Sequence, residues 1–222
     1  MNVFIVLAHP ERRSFNGAMF DTATETLRDA GHDVVTSDLY RTGFDPVSSR
    51  RNFTTVHDPD YLKLQAEELH ASEHAGFTPE VDAEIAKMEA ADLMIWQFPL
   101  WWFGLPAILK GWVDRVFAMG RTYGGGRIYA NGTFRGRRAM LSLTTGGPEA
   151  AYQPNGFNGD LEAILKPVHR GMLAFQGYSV LAPQVNFGAA RVDDAQRHAW
   201  LAAWSERLRA IEGDRPIEVG TY

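Results

Sequence analysis

A single doubly wound α/β domain, a parallel sheet with helices on both faces, is the fold class this sequence predicts. Three observations carry it. Short apolar runs of strand length alternate with stretches of helical period from Val3 to Ile211. The run at 3–8 is apolar throughout, as a central strand buried on both faces is. The composition, 45% hydrophobic and 22% charged over 222 residues, is that of a globular protein with a sizeable core.

The elements follow in order. Residues 3–8 form the first strand and end at His9-Pro10. Ser14 caps a helix whose apolar positions Phe15, Ala18, Met19, Ala23 and Leu27 recur at helical spacing, with Gly31 as the stop. Residues 32–39 read as the second strand, so 3–39 is a right-handed βαβ unit. The stretch 40–78 loses its period at Gly43, Pro46, Pro59 and Gly76, with one helical piece at 61–72. An excursion of that length is expected to be functional or an interface. Pro79 opens a helix with Val81, Ile85 and Met88 on one face, followed by a strand at 92–96. An aromatic turn, Gln97 to Pro106, hands over to a helix at 106–119 with proline first. Gly124-Gly125-Gly126 reads as a flap or turn, because no helix follows it. A fourth strand at 139–144 breaks into Thr145-Gly146-Gly147-Pro148; a helix at 160–175, a strand at 178–182 and a helix at 192–211 complete the domain. The expectation is five strands in the 2-1-3-4-5 order of flavodoxin-like proteins, one domain over 1–212, and a tail at 213–222.

Several classes of function are disfavoured. A formal net charge of −5 without a basic block argues against nucleic acid as the main partner, and Arg135-Gly136-Arg137-Arg138 reads as solvated loop. With no cysteine, disulfides, thiolate nucleophiles and cysteine-bound metals are absent, so redox chemistry needs a cofactor. The first residues lack a basic leader and no apolar run is long enough to span a bilayer, which makes the cytoplasm the expected location. His70 and His74 stand four apart, but no H-E-x-x-H pattern accompanies them, and no metal site is assigned. Neither G-x-G-x-x-G between the first two strands nor the Walker motif is present.

In open α/β sheets ligands bind outside the carboxyl ends of the strands. Three loops should therefore converge. Residues 9–16 carry Arg12, Arg13, Ser14 and Asn16 at a helix N-terminus, where free amides favour a phosphate; the alternative is a merely capped helix with solvated arginines. Residues 98–104 put three consecutive aromatics between Pro99 and Pro106, either a wall for a flat ligand or a plug of core or interface. Residues 144–147 expose backbone at a strand end.

Ala8-His9, Glu11-Arg12, Ser14-Phe15-Asn16, then Gln97-Phe98-Pro99-Leu100, Trp102-Phe103-Gly104, Pro106 to Trp112, and Thr144-Thr145-Gly146-Gly147 together resemble the NAD(P)H:quinone oxidoreductase (DT-diaphorase) family of flavoproteins. The likeness runs to about residue 209. It implies a homodimer with one flavin per subunit, each site completed by the partner. By matched positions, His9, Ser14, Phe15 and Asn16 would hold the ribityl and pyrophosphate part. Pro99, Leu100, Trp101, Trp102 and Phe103 would run along the isoalloxazine, with Trp102 and Phe103 nearest the ring and Trp101 toward the partner or solvent. Thr144, Thr145, Gly146 and Gly147 would lie at its pyrimidine edge. Asp114 and Arg197 match the adenine end, which favours FAD over FMN, although Asp114 replaces the commoner glutamate. Tyr152 and Phe175, with Tyr123 from the partner, match the nicotinamide and quinone pocket, beside Trp102, Phe103 and Asn158.

The implied reaction is a ping-pong exchange in which NAD(P)H passes hydride to flavin N5 and a quinone-like acceptor then takes the electron pair. The Gly146 and Gly147 amides, Tyr152 and Asn158 would steady the charge that develops. Asn158 stands where the mammalian quinone reductases place a histidine, and it cannot titrate near neutral pH. Gly125 replaces a second pocket tyrosine, and a long C-terminal extension is not expected. The rival readings are an FMN-dependent azo- or nitroreductase and a regulatory flavin-binding subunit of an ion-transport system.

Overall fold

A computed structural model describes residues 1–221. Its centre is a parallel sheet in which β1 (Asn2–Leu7), β2 (Asp33–Asp38), β3 (Leu93–Pro99), β4 (Arg138–Thr144) and β5 (Ser179–Val180) lie in the order β2-β1-β3-β4-β5. The expected order is observed. A sixth strand, β6 (Gln184–Asn186), was not expected; it pairs with β4 at Ser142, Leu143 and Thr144, past the point where the two-residue β5 stops. β5 is shorter than the predicted 178–182 because Pro183 follows and the chain shifts to start β6.

Alternate residues of β1 feed two cores. Phe4 and Val6 pack with Ile85, Met88, Trp96 and Trp112 on the face covered by α3 (Pro79–Ala90), α4 (Ala107–Val116) and α5 (Leu161–Val168). Val3, Ile5 and Leu7 pack with Met19, Leu27, Ile95, Trp204 and Leu208 on the face covered by α1 (Phe15–Asp29) and α6 (Asp194–Arg209). Burial on both faces is why β1 reads as an unbroken apolar run.

Other boundaries differ from the sequence reading as well, among them the helix expected at 61–72, which runs Leu64–His74. β3 continues through Gln97, Phe98 and Pro99, which pair with Ser142, Leu143 and Thr144, so the aromatic turn starts only at Leu100. Pro106 is the cap of α4 rather than its first residue. The helix expected at 160–175 changes to a π-helical turn at His169–Ala174, after Pro167 has removed a backbone donor.

The excursion at 40–78 is folded against α4. It contains α2 (Leu64–His74) and is pinned by buried Arg115, whose guanidinium donates to Asn52 Oδ1 (2.8 Å), Asp45 O (2.5 Å) and Glu80 Oε2 (2.9 Å). Gly111 lets Pro46 approach; a Cβ there would stand 2.2 Å from the Pro46 carbonyl oxygen. The segment after 213 also docks, with Ile217 N donating to Val180 O (2.8 Å); Tyr222, part of the expected tail, lies outside the described residues. Arg138 opens β4 and donates to Ile211 O (2.9 Å), so the basic run is partly structural and not simply solvated. Among the described residues no helix is long and apolar enough to cross a membrane.

Candidate functional site

The carboxyl ends of β1, β3 and β4 meet through one buried chain of side-chain amides and hydroxyl. Gln97 Nε2 donates to Asn16 Oδ1 (2.9 Å), and Asn16 Nδ2 donates to Thr144 Oγ1 (2.9 Å). Each of the three residues comes from a different loop or strand end, so the network fixes their relative positions.

After β1, His9 Nδ1 lies 2.9 Å from Glu11 O and 3.1 Å from Glu11 N, and Ser14 Oγ caps α1 by accepting from Gly17 N (3.2 Å). The amides of Phe15 and Asn16 meet no acceptor among the described residues, leaving two free donors at a helix start. Arg12 and Arg13 do not join it. Arg12 pairs with Asp21 and Asp38 and lies 4.8 Å from the Phe20 ring centroid, while Arg13 pairs with Glu11. Asp21 and Asp38 become neighbours of Arg12 only on folding, so Arg12 is not simply solvated, whereas Arg13 is 91% exposed, as the capped-helix alternative expects.

After β3, Trp101 and Gly104 close a tight turn through two backbone bonds, N to O at 3.2 Å and 3.0 Å. Its central residues, Trp102 and Phe103, have φ of 51° and 59°, the left-handed region that side chains seldom occupy. Trp102 is 97% exposed, and the amides of both residues face no acceptor among the described residues. After β4, Thr145 N donates to Asn186 O (3.2 Å) and Gly188 N to Thr145 Oγ1 (3.2 Å), so β6 braces this loop. The Gly146 and Gly147 amides are also free of acceptors among the described residues, and a Cβ on Gly146 would meet open space.

Two cavities result. An inner one of about 400 Å³ is lined by His9, Ser14, Phe15 and Asn16, by Pro99, Leu100 and Trp101, by Thr144, Thr145 and Gly146, and by Ala189, Ala190 and Arg197. An outer one of about 460 Å³ is lined by Leu100, Trp102, Phe103, Gly146, Gly147, Pro148, Ala151, Tyr152, Phe157, Asn158 and Arg191. Leu100 and Gly146 belong to both, so the two are continuous. Trp101, 42% exposed, also lies beside His9, with ring centroids 6.2 Å apart.

Three expected residues stay apart within the chain. Asp114 is half exposed and pairs with Lys110 (2.6 Å) on the surface of α4. Tyr123 packs edge-on against Phe175 with centroids 5.9 Å apart, and neither lines either cavity. Tyr123 sits instead with α2, its hydroxyl 3.4 Å from Glu68 Oε2. Burial pushes the Glu68 carboxyl up to about 7, against the pull of its bond from Met119 N (2.8 Å). Burial and the Glu68 charge likewise raise the Tyr123 hydroxyl. Phe157 and Arg191 were missed by the sequence reading because they sit in loops without period; the β6 turn that delivers Arg191 left only the short signal Gln184-Val185-Asn186. His70 and His74 stack with centroids 4.1 Å apart, and among the described residues no three His, Cys, Asp or Glu side chains gather as metal ligands.

Residues 1–208 match a family model described as a flavodoxin-like fold. The chain is 43% identical over 214 residues to guinea pig (Cavia porcellus) NAD(P)H dehydrogenase [quinone] 1, covering 96% of this chain and 78% of that protein. It is 41% identical over 216 residues to rat (Rattus norvegicus) ribosyldihydronicotinamide dehydrogenase [quinone], covering 97% and 94%. A Klebsiella pneumoniae crystal structure described as a candidate quinone reductase superposes with a TM-score of 0.94 at 38% identity, over 98% of this chain and 87% of that one.

Proposed function

The chain belongs to the NAD(P)H:quinone oxidoreductase family of flavodoxin-like proteins, and from that membership we propose that it is a flavin-dependent oxidoreductase that uses NAD(P)H to reduce quinones or similarly flat electrophiles. One observation carries the reading. Trp102 and Phe103, held in left-handed backbone, offer two free amides and an aromatic face across from the free amides of Gly146 and Gly147. Strained turns of this kind persist where a ligand uses them. A planar heterocycle with acceptors along its edges fits such a wall, and the phosphate that would follow it meets the free Phe15 and Asn16 amides at the start of α1.

A bound flavin would supply the two-electron chemistry, accepting hydride from NAD(P)H at N5 and passing the pair to the acceptor in a second, ping-pong step. The chain's own groups bind, orient and balance charge. His9, Ser14, Phe15 and Asn16 hold the phosphate side, and Pro99 to Phe103 support the ring. The amides of Gly146 and Gly147, the Tyr152 hydroxyl and the Asn158 amide donate where negative charge accumulates. Asn158 remains neutral throughout and so works as a fixed donor rather than as a proton store. We assign FAD over FMN because Arg197 and Asp114 match the adenine end in the family resemblance, and Arg197 lines the inner cavity.

The exposed Trp102 and the outlying Tyr123–Phe175 pair favour a homodimer whose partner closes each site. The test is direct. Purified protein should be yellow, release FAD on mild denaturation as identified by chromatography, sediment as a dimer, and oxidise NAD(P)H with benzoquinone. Release of FMN with azo-dye turnover would favour the rival enzyme, and bound flavin without turnover would favour a binding subunit. Unchanged flavin-reduction rates in both Asn158→Ala and Asn158→His would remove Asn158 from the mechanism.

A further inference from the structure

Arg191 is the one charged residue lining the outer cavity among the described residues. It stands in the turn between β6 and α6, its N–H bonded to Gly188 O (2.7 Å). The two acids that follow it are engaged elsewhere. Asp193 caps α6 by accepting from Gln196 N (2.8 Å), and Asp194 pairs with Arg197 (2.5 Å). No carboxylate pairs with the Arg191 guanidinium among the described residues; other arginines such as Arg28 and Arg127 also lack one, but Arg191 is the one that lines the outer cavity. An unpaired guanidinium on the rim of an otherwise uncharged cavity, in a chain of net charge −5, marks a place for an anion.

The rest of that cavity says which anion. Trp102 and Phe157, 97% and 98% exposed, give it apolar faces for a flat ring, and the Gly146, Gly147 and Asn158 donors lie beside them. With flavin in the inner cavity, the outer one receives the dihydronicotinamide. A free riboside ends at its sugar, whereas a dinucleotide continues into a pyrophosphate that must leave past the rim. The planar fork of an arginine matches two phosphate oxygens at once. Resting on the oxidoreductase reading above, we infer that Arg191 binds the phosphates of the nicotinamide dinucleotide and thereby selects NAD(P)H over ribosyldihydronicotinamide as electron donor.

The test compares the flavin-loaded wild type with Arg191→Ala and Arg191→Lys, using benzoquinone as acceptor and NADPH, NADH or ribosyldihydronicotinamide as donor. Loss of one charge-assisted contact should raise the KM for NADPH and NADH roughly 10-fold in Arg191→Ala with little change in kcat. The riboside KM should stay where it is, and Arg191→Lys should recover part of the loss. Calorimetric binding of NADP⁺ should weaken by the same factor, and wild-type affinity should fall with added salt. Equal losses for dinucleotide and riboside, or none for either, would overturn the inference while leaving the oxidoreductase reading intact. A flavin-loaded wild type that neither binds NADP⁺ nor oxidises any of the three donors would overturn both.

Discussion

Asn16 and Thr144, 128 residues apart in sequence, are joined by a buried 2.9 Å hydrogen bond from the Asn16 amide to the Thr144 hydroxyl. Gln97 donates to the same Asn16 from the other side. Asn16 thus uses both ends of its amide to hold the phosphate loop against the two strand ends that support the ring site, and two consequences follow.

Replacing Asn16 by alanine strands the Gln97 donor and removes the Thr144 contact. The expected cost is about 2–3 kcal/mol of stability, since buried groups pay their full desolvation when a partner is lost. In a chain of this size that lowers the Tm by about 6 °C. Flavin affinity should fall as well, because the three loops are no longer held in register. Thermal melts with and without excess flavin measure both effects. An Asn16→Ala protein that melts like wild type and keeps its flavin would contradict the network's role.

Gly146 and Gly147 should respond differently to alanine. A Cβ on Gly146 meets nothing within 4 Å, so Gly146→Ala should fold at least as well as wild type. It should nevertheless bind flavin more weakly, since Gly146 lines both cavities. A Cβ on Gly147 stands 3.2 Å from Tyr152 Cε2 and 3.3 Å from Asn158 Nδ2. Gly147→Ala should therefore keep its flavin and lose turnover as those two donors are displaced. Flavin titration and steady-state rates on the two variants separate the outcomes.

Much of this was legible in the sequence because it depends on local pattern. β1 reads as apolar because both its faces are buried, and Ser14 caps α1 as its chemistry predicts. What escaped depends on contacts made only in the fold. Pro99 signals a turn, yet it ends β3 opposite Thr144, at a position where the missing N–H is tolerated. Arg12 reads as a phosphate ligand or a solvated side chain until Asp21 and Asp38 close on it. Arg191 and Phe157 carry no periodic signal, and three residues of β6 are too few to mark a strand.

Two buried titratable groups set opposite pH slopes. Glu68 rises from 4.5 to about 7 in the fold, so the folded chain holds its proton longer than the unfolded one. The stability it contributes is full below pH 4.5 and is lost as pH rises through about 7, a difference of roughly 3 kcal/mol. His169 falls from 6.5 to about 4 by burial, with its Nε2 lacking a partner among the described residues. Its contribution is present above pH 6.5 and is lost as pH falls through about 4, again by roughly 3 kcal/mol. Relative to wild type, Glu68→Gln should gain stability at pH 8 over pH 5, and His169→Gln should gain at pH 4 over pH 7. Denaturant melts at these pH values decide; a flat difference for either variant would mean that group titrates normally.

The Trp102–Phe103 turn offers the sharpest separation of stability from activity. A side chain in left-handed backbone costs about 1–2 kcal/mol relative to glycine's freedom there. Trp102 at 97% exposure recovers almost none of that by burial. Trp102→Gly should relieve the strain, offset in part by the added freedom of the unfolded chain, which costs about 0.4–1 kcal/mol. The net expectation is a Tm equal to or slightly above wild type. Trp112, fully buried and bonded through Nε1 to Glu84 (2.8 Å), gives the contrast, since Trp112→Ala should cost about 3–5 kcal/mol. Activity should move the other way in Trp102→Gly, falling with both donors because the aromatic face beside the reacting ring is gone. A Trp102→Gly protein that is clearly less stable would show that the ring packs on something in the working assembly, whereas full activity would mean the wall is dispensable. Stability retained with activity lost is the signature of a strained residue kept for its ligand.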